Sequence, residues 1–286
     1  MPAISPRLQE LRDKLNQTDQ RLHDLLIERL ELVRRVTEEK ANRGAPAYDP
    51  TREAMVVRAR AEYRPGQFPV GTLLRVWREI LGRMVQEEEK FSISVYAPNG
   101  ASGVWDLARD HFGSQAPLIH CTSPKETFEA VLRGDAKAGV LLQPQSDDPE
   151  PWVLRLLPVD TRAPHIIASL PIVPDSNARG DGRAFVIAYA DLEATGRDRT
   201  CFLLENTVEN SFTKLKEVLV LVGLKYVSHV TFAGSVNSGD RQSMITFIEV
   251  EGFVTLSEVP IARMRSEAGF EQARLIAIGG YARPLA

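Results

Sequence analysis

The chain has 286 residues, with 35 Lys and Arg against 38 Asp and Glu, a formal net charge of −3 and 43% hydrophobic content. That length suits two or three domains at ~100–200 residues each, and the charge gives no whole-protein field to draw nucleic acid, so anion binding has to come from a local cluster. Cys121 and Cys201 lie far apart with no metal-ligand spacing, the N-terminus is charged without an apolar signal core, and no apolar run approaches the ~20 residues of a membrane span. These features point to a cytoplasmic protein with reduced thiols and no membrane or nucleic-acid partner; neither a metal nor a cofactor is expected.

Residues 7–40 carry Leu8, Leu11, Leu15, Thr18, Leu22, Leu25, Arg29, Leu32 and Val36 at alternating steps of three and four. This is the period of a helix packed along another helix, so the spacing predicts one long amphipathic helix with these positions inward. Arg29 is the odd member: a guanidinium on an apolar stripe needs a partner. It is an internal ion pair, an arginine snorkelling to the edge, or an anion ligand. Lys40, eleven residues on, points the same way about 16 Å along the axis, close enough for both cations to converge on one small anion. Arg12 is about 25 Å from Arg29 and about 42 Å from Lys40. It cannot reach the same ligand from its own helix; an antiparallel copy could deliver it, so if Arg12 serves this pocket the protein is a dimer with a shared site.

A loop follows at 41–47, then a helix opened by Asp49 as N-cap with Pro50 at its first position. It ends near 64–66. A third helix is expected over 69–90, its inward face Leu73, Trp77, Ile80, Met84 and Glu88 at steps of three and four. Glu88 is either the solvated last turn of that helix or a polar group extending the apolar stripe.

The block Leu11-Arg12, Asp19, Leu25 to Arg29, Lys40, Asp49, Arg52-Glu53 and Val76 to Ile80 resembles the all-helical class of chorismate mutase over residues 8 to about 90. The resemblance implies three helices per subunit, an interlocked homodimer, and an active site that borrows one arginine from the partner. The reaction is the unimolecular rearrangement of chorismate to prephenate, which needs a flexible dianion held compact and charge on the breaking ether oxygen stabilised. By resemblance, Arg12 of the second copy and Arg29 clamp the two carboxylates, and Lys40 donates to the ether oxygen. Asp49 and Glu53 hold the ring hydroxyl, and Arg52 supports them and the carboxylate end. Arg52 and Glu53 also read as a solvated first turn of the second helix. Met84 stands where the family often has Ser, and Glu88 where it often has Gln. An ionised Glu has no proton to donate to the ether oxygen, so Glu88 has to act protonated and activity is expected to fall as pH rises. The catalytic set is thus Lys40, Glu88 and Arg29, and the substrate-binding set adds Arg12, Asp49, Arg52, Glu53 and Met84.

Over 91–196 the pattern changes to alternating strand and helix. Strands are expected at 93–96, 118–121, 139–142, 153–157, 165–172 and 185–189. Helices run to Phe112 and from a capping box at Ser123 to Glu126 on to Leu132. This is an α/β unit of parallel-sheet type. Its order resembles a prephenate dehydratase domain, but the family's Gly-Thr reads Gly100-Ala101, its Glu-Asn-Ser reads Pro144-Gln145-Ser146, and its Thr-Arg-Phe reads Arg183-Ala184-Phe185. The segment is also shorter by roughly 80 residues, which implies one missing lobe and a catalytically dead remnant.

Residues 197–286 read as strand 200–204, helix 211–222 stopped by Gly223, strands 226–232 and 244–250 around a turn at 234–239, helix 257–267 ended by Gly269, and an edge strand at 273–278. The order resembles a ferredoxin-like ACT domain. Its Gly-Ala-Leu reads Asn210-Ser211-Phe212 and its Glu-Ser-Arg-Pro reads Thr231-Phe232-Ala233-Gly234, which favours domain pairing over phenylalanine sensing. The expected architecture is a helical mutase domain at 1–90, a single-lobed α/β domain at 91–196 and an ACT-like domain at 197–286. A non-catalytic subunit for another aromatic-pathway enzyme, and a lyase acting on isochorismate, are the competing readings.

Overall fold

The structure, a computed structural model, describes residues 5–42, 48–63, 68–98, 102–157, 163–173, 179, 182–206, 212–237 and 242–285. Helices are α1 (Pro6–Asn42), α2 (Pro50–Glu62), α3 (Val70–Glu88), α4 (Ser102–Phe112), α5 (Pro124–Arg133), α6 (Phe212–Leu221) and α7 (Ile261–Arg265). Strands are β1 (Ile93–Tyr96), β2 (Leu118–Cys121), β3 (Ala138–Leu142), β4 (His165–Leu170), β5 (Ala184–Ala188), β6 (Asp198–Asn206), β7 (Tyr226–Asn237), β8 (Gln242–Glu251) and β9 (Arg274–Ala282). The chain divides into two compact units, Met1–Ala47 with Met84–Lys90, and Tyr48–Arg83 with Phe91–Ala286.

In the first unit α1 buries no residue. The stripe expected to face inward is open: Leu11, Leu15, Leu22 and Leu25 are 51–61% exposed. The half-covered face is instead Leu30, Val33, Thr37 and Lys40, on the side where Arg34 and Lys40 meet Glu87 and Glu88 at the C-terminal turn of α3.

In the second unit α2 starts as its sequence demands. The Asp49 carboxylate accepts the Arg52 backbone N–H at 2.8 Å and Pro50 fills the first turn. Val57 and Ala61 of α2 pack with Leu74 and Leu81 of α3, together with Ile172 and Val173. The face α3 buries here is Leu74, Arg78 and Leu81, one position round from the expected Leu73, Trp77 and Ile80, which are half-exposed. Gly82 lets α3 touch the end of α4: a Cβ there would lie 2.0 Å from the Phe112 carbonyl oxygen.

One nine-stranded sheet runs through this unit in the order β2-β1-β3-β5-β4-β9-β6-β8-β7. β1 pairs parallel with β2 and β3, but β3–β5 and β4–β5 are antiparallel, so the sheet is mixed where a parallel one was expected. β9, expected at an edge, lies inside the sheet between β4 and β6. The expected strand at 153–157 is a 3-10 helix, Trp152–Leu156, with Trp152 donating to the Leu142 carbonyl at 2.8 Å. Its buried residues Trp152, Val153 and Leu156 have helical rather than alternating spacing. The expected helix 257–267 is broken by Pro260, which lacks an N–H and cannot sit inside a helix; a 3-10 turn, Leu256–Glu258, precedes α7. β7 runs into the expected 234–239 turn as far as Asn237, which pairs with Gln242, with an irregularity between Phe232 and Val236. Gly239, the Asn99-Gly100-Ala101 loop and Asn210-Ser211 lie outside the described residues.

Successive residues of a strand face opposite sides, and this divides the core. Cys201, Leu203, Phe247 and Tyr281 join Trp152 and Phe185 on one face. Phe202, Leu204, Ile248 and Val250 pack under α6 and α7, with Met264 and Phe270, on the other.

Candidate active site

The sequence-predicted residues fall into two groups, one in each unit. In the first unit, Lys40 Nζ stands 3.6 Å from Glu88 Oε2, with side-chain exposures of 26% and 11%. Neither helix brings these residues together by itself. Lys40 comes from the last turn of α1 and Glu88 from the last turn of α3. Met84, one turn before Glu88, is buried at 8% exposure. Arg29 is partly buried on α1, and Arg12 is exposed towards the other end of the same helix. A cation and a carboxyl group at this spacing can exchange a proton or share a ligand oxygen.

In the second unit, Asp49, Arg52 and Glu53 gather at the start of α2. Asp49 is occupied as N-cap and Arg52 is exposed. Glu53 Oε2 receives Arg78 Nη1 at 3.0 Å, and this pair is nearly closed to solvent, with side-chain exposures of 5% for Arg78 and 13% for Glu53. Arg78 received no role from the sequence. The signal was present, since Leu74, Arg78 and Leu81 sit at steps of four and three, a stripe in which a charge implies a buried partner.

Beside this pair Arg78 Nη2, Tyr48 Oη and both ring nitrogens of His111 are buried without a hydrogen-bond partner. Burial, reinforced by the Arg78 charge, holds His111 well below its ordinary pKa, so the ring is neutral. Burial, and then the Glu53 charge, push the Tyr48 hydroxyl well above its usual value. No group of three or more His, Cys, Asp or Glu side chains among the described residues could hold a metal ion, and none of the described helices is long and apolar enough to cross a membrane.

Residues 11–89 match the family model for chorismate mutase type II. The chain is 29% identical over 138 residues to a bifunctional chorismate mutase/prephenate dehydratase of Aquifex aeolicus (strain VF5), covering 47% of this chain and 38% of that protein. It is 26% identical over 140 residues to the protein of the same description from Stutzerimonas stutzeri, with the same coverages of 47% and 38%. The chain thus spans about two fifths of the length of the curated relatives it matches. A prephenate dehydratase structure from Streptococcus mutans aligns with 68% of this chain and 98% of its own, at 11% identity and a TM-score of 0.46. Over residues 11–89 the chain is therefore similar to the chorismate mutase type II family, and over about half its length to bifunctional chorismate mutase/prephenate dehydratases.

Proposed function

We propose that this protein is a chorismate mutase that rearranges chorismate to prephenate, and that it works as an interlocked homodimer with Arg12 of each copy serving the site of the other. The observation that carries the reading is the meeting of Lys40 and Glu88 at 3.6 Å, on helices matched by the mutase family model. The open apolar face of α1, with Leu15 61% and Leu25 59% exposed, supports a second copy laid along it. Such a face is costly to leave in water.

The reaction asks for no nucleophile. Arg29 and the second copy's Arg12 would hold the two carboxylates by bidentate contacts and fix the compact conformer. Lys40 and protonated Glu88 would donate to the ether oxygen as it gains charge, and Met84 would pack against the apolar edge of the ring. Asp49 and Arg52 would act at the hydroxyl end. Glu53 would join them by exchanging its bond to Arg78 for the ring hydroxyl. In this reading the chain works in the cytoplasm as three segments, 1–90, 91–196 and 197–286. The middle one is a dehydratase-like remnant and the last an ACT-like pairing module.

A specific observation favours a second reading, a non-catalytic subunit of an aromatic-pathway enzyme: Glu53 is already committed to Arg78 in a buried pair. The purified protein distinguishes the two. Prephenate formed from chorismate, with no salicylate or pyruvate from isochorismate, supports the mutase. Unchanged chorismate at every pH leaves the subunit reading, and pyruvate from isochorismate makes it a lyase.

A further inference from the structure

Helix α2 has little apolar surface with which to hold its place. Val57 and Ala61 are its buried side chains in the cluster it shares with α3, both are small, and a helix of 13 residues is marginal by itself. Such packing keeps two helices together without fixing rotation or axial position. Hydrogen bonds, which weaken steeply when misaligned, can fix both.

A second stripe of α2 is polar. Thr51, Arg58 and Glu62, at steps of seven and four, share one face, and all three are bonded to residues 193–197, the approach to β6. Thr51 Oγ1 accepts the Glu193 backbone N–H at 3.1 Å. Arg58 Nη1 donates to the Thr195 carbonyl at 3.0 Å and to the Thr195 hydroxyl oxygen at 3.2 Å, while Nη2 donates to the Arg197 carbonyl at 3.2 Å. Arg197 Nη1 donates to Glu62 Oε1 at 3.2 Å, an exposed pair that adds little. The turn that receives Arg58 is itself tied down. The buried Asp198 carboxylate accepts the Thr195 N–H at 2.8 Å, the Thr195 hydroxyl at 2.6 Å and the Gly196 N–H at 3.0 Å. The Arg197 carbonyl also accepts the Arg283 N–H, one residue past β9. Arg58 thus sets a planar fork of donors on two carbonyls anchored to β6 and β9, and α2 and these strands belong to one compact unit.

We propose that Arg58 is a positioning residue for the mutase reaction: by fastening α2 to the 195–198 turn it holds Asp49, Arg52 and Glu53 where they meet the ring hydroxyl end of chorismate. The inference rests on the mutase reading above. Thr51, the other anchor, lies in the same first turn as Arg52 and Glu53, and Arg58 follows Glu53 by about 8 Å along the axis. Its guanidinium is spent on backbone carbonyls, so it acts through the helix. A binding group misplaced by about 1 Å can cost about 10²-fold in rate. The segment after residue 90 thereby takes part in the mutase reaction without performing chemistry of its own.

The test is steady-state kinetics of prephenate formation by the full chain carrying Arg58→Gln, Arg58→Lys or Thr51→Val, each also combined with Asp49→Asn. Asparagine still caps the helix, but the carboxylate at the hydroxyl end is gone. Arg58→Gln is expected to raise the KM for chorismate at least about tenfold with a smaller change in kcat. Arg58→Lys, which keeps a donor but loses the fork, is expected to fall between it and the parent, and Thr51→Val to raise KM as well. If Arg58 works through the first turn of α2, the changes are not additive, and in the Asp49→Asn background Arg58→Gln is expected to cost less than about threefold. Loosening of the fold alone would lower the active fraction, and so kcat, at unchanged KM. A parental KM in both Arg58→Gln and Thr51→Val, a loss confined to kcat, or an undiminished effect in the Asp49→Asn background would each overturn the assignment. If Arg58→Gln does not fold, Arg58→Lys and Thr51→Val decide by the same criteria. A parent protein that forms no prephenate would overturn the mutase reading and this role with it, whereas an active parent with unaffected variants would overturn the role alone.

Discussion

At the scale of the residue, the proposed mutase reaction turns on the protonation state of Glu88. A carboxyl 3.6 Å from Lys40 donates to an ether oxygen only while it holds its proton. Activity is therefore expected to fall as pH rises, and Glu88→Gln, whose amide donates at every pH, is expected to flatten the profile and retain its rate in alkaline buffer. A Gln variant with the parental pH dependence would remove Glu88 from the reaction. The Glu53–Arg78 pair makes a separate claim on stability. Arg78→Met leaves the nearly buried Glu53 carboxylate without its cation, and loss of one partner of a buried pair costs about 3–5 kcal/mol. A matching fall in the urea midpoint is the check. His111 adds a pH term. Its native pKa is pushed down by burial, whereas the unfolded ring titrates near about 6.5. Protons therefore favour the unfolded chain. The stability that depends on this residue is intact above about pH 6.5 and declines by roughly 1.4 kcal/mol per pH unit below it. His111→Phe is expected to remove that decline, measured as denaturant stability between mildly acidic and neutral pH.

At the scale of the element, caps and periodicity were legible. Asp49-Pro50 placed the start of α2, and Ser123 with Glu126 placed the start of α5, where Ser123 Oγ accepts the Glu126 N–H at 3.1 Å. Faces were less legible than spans. The spacing gives α3 two neighbouring stripes, and the one buried in the second unit contains Arg78 because Glu53 lies opposite, 25 positions away in sequence. The stripe of α1 shows the converse. Its period is clear in the sequence, yet within one chain it faces solvent, and the proposed dimer would lay a second copy along it. Leu22→Asp with Leu25→Asp is expected to leave a monomer by sedimentation and to abolish prephenate formation, since the charges would be buried unpaired in a helix pair. Gly82→Ala is expected to destabilise the second unit by about 1–3 kcal/mol, because its Cβ would meet the Phe112 backbone at 2.0 Å and backbone does not yield as a side chain does.

At the scale of the whole molecule, the sequence order of the strands does not reveal their order in the sheet. β9, last in the chain, pairs with β4 and β6, and such long-range pairing carries no local signature. The candidate site shares that limit. Helical spacing places Arg29 and Lys40 on one side of α1 and Glu88 on a stripe of α3, and the family resemblance joined the three as a set, whereas the union of Lys40 with Glu88 depends on how α1 meets the last turn of α3. Arg12 extends the argument past one chain, since on a straight helix it stays about 25 Å from Arg29.

That distance makes the central claim testable by complementation. Arg12→Ala and Arg29→Ala are each expected to lose nearly all prephenate formation as homodimers. Unfolded together in equal amounts and refolded, they pair at random, and each mixed dimer then contains one site with both arginines intact, so about one quarter of all sites recover. Return of roughly that share of activity would establish a mutase whose site is shared between two copies. Mixed dimers that form and stay inactive, or single variants that keep their activity, would contradict it.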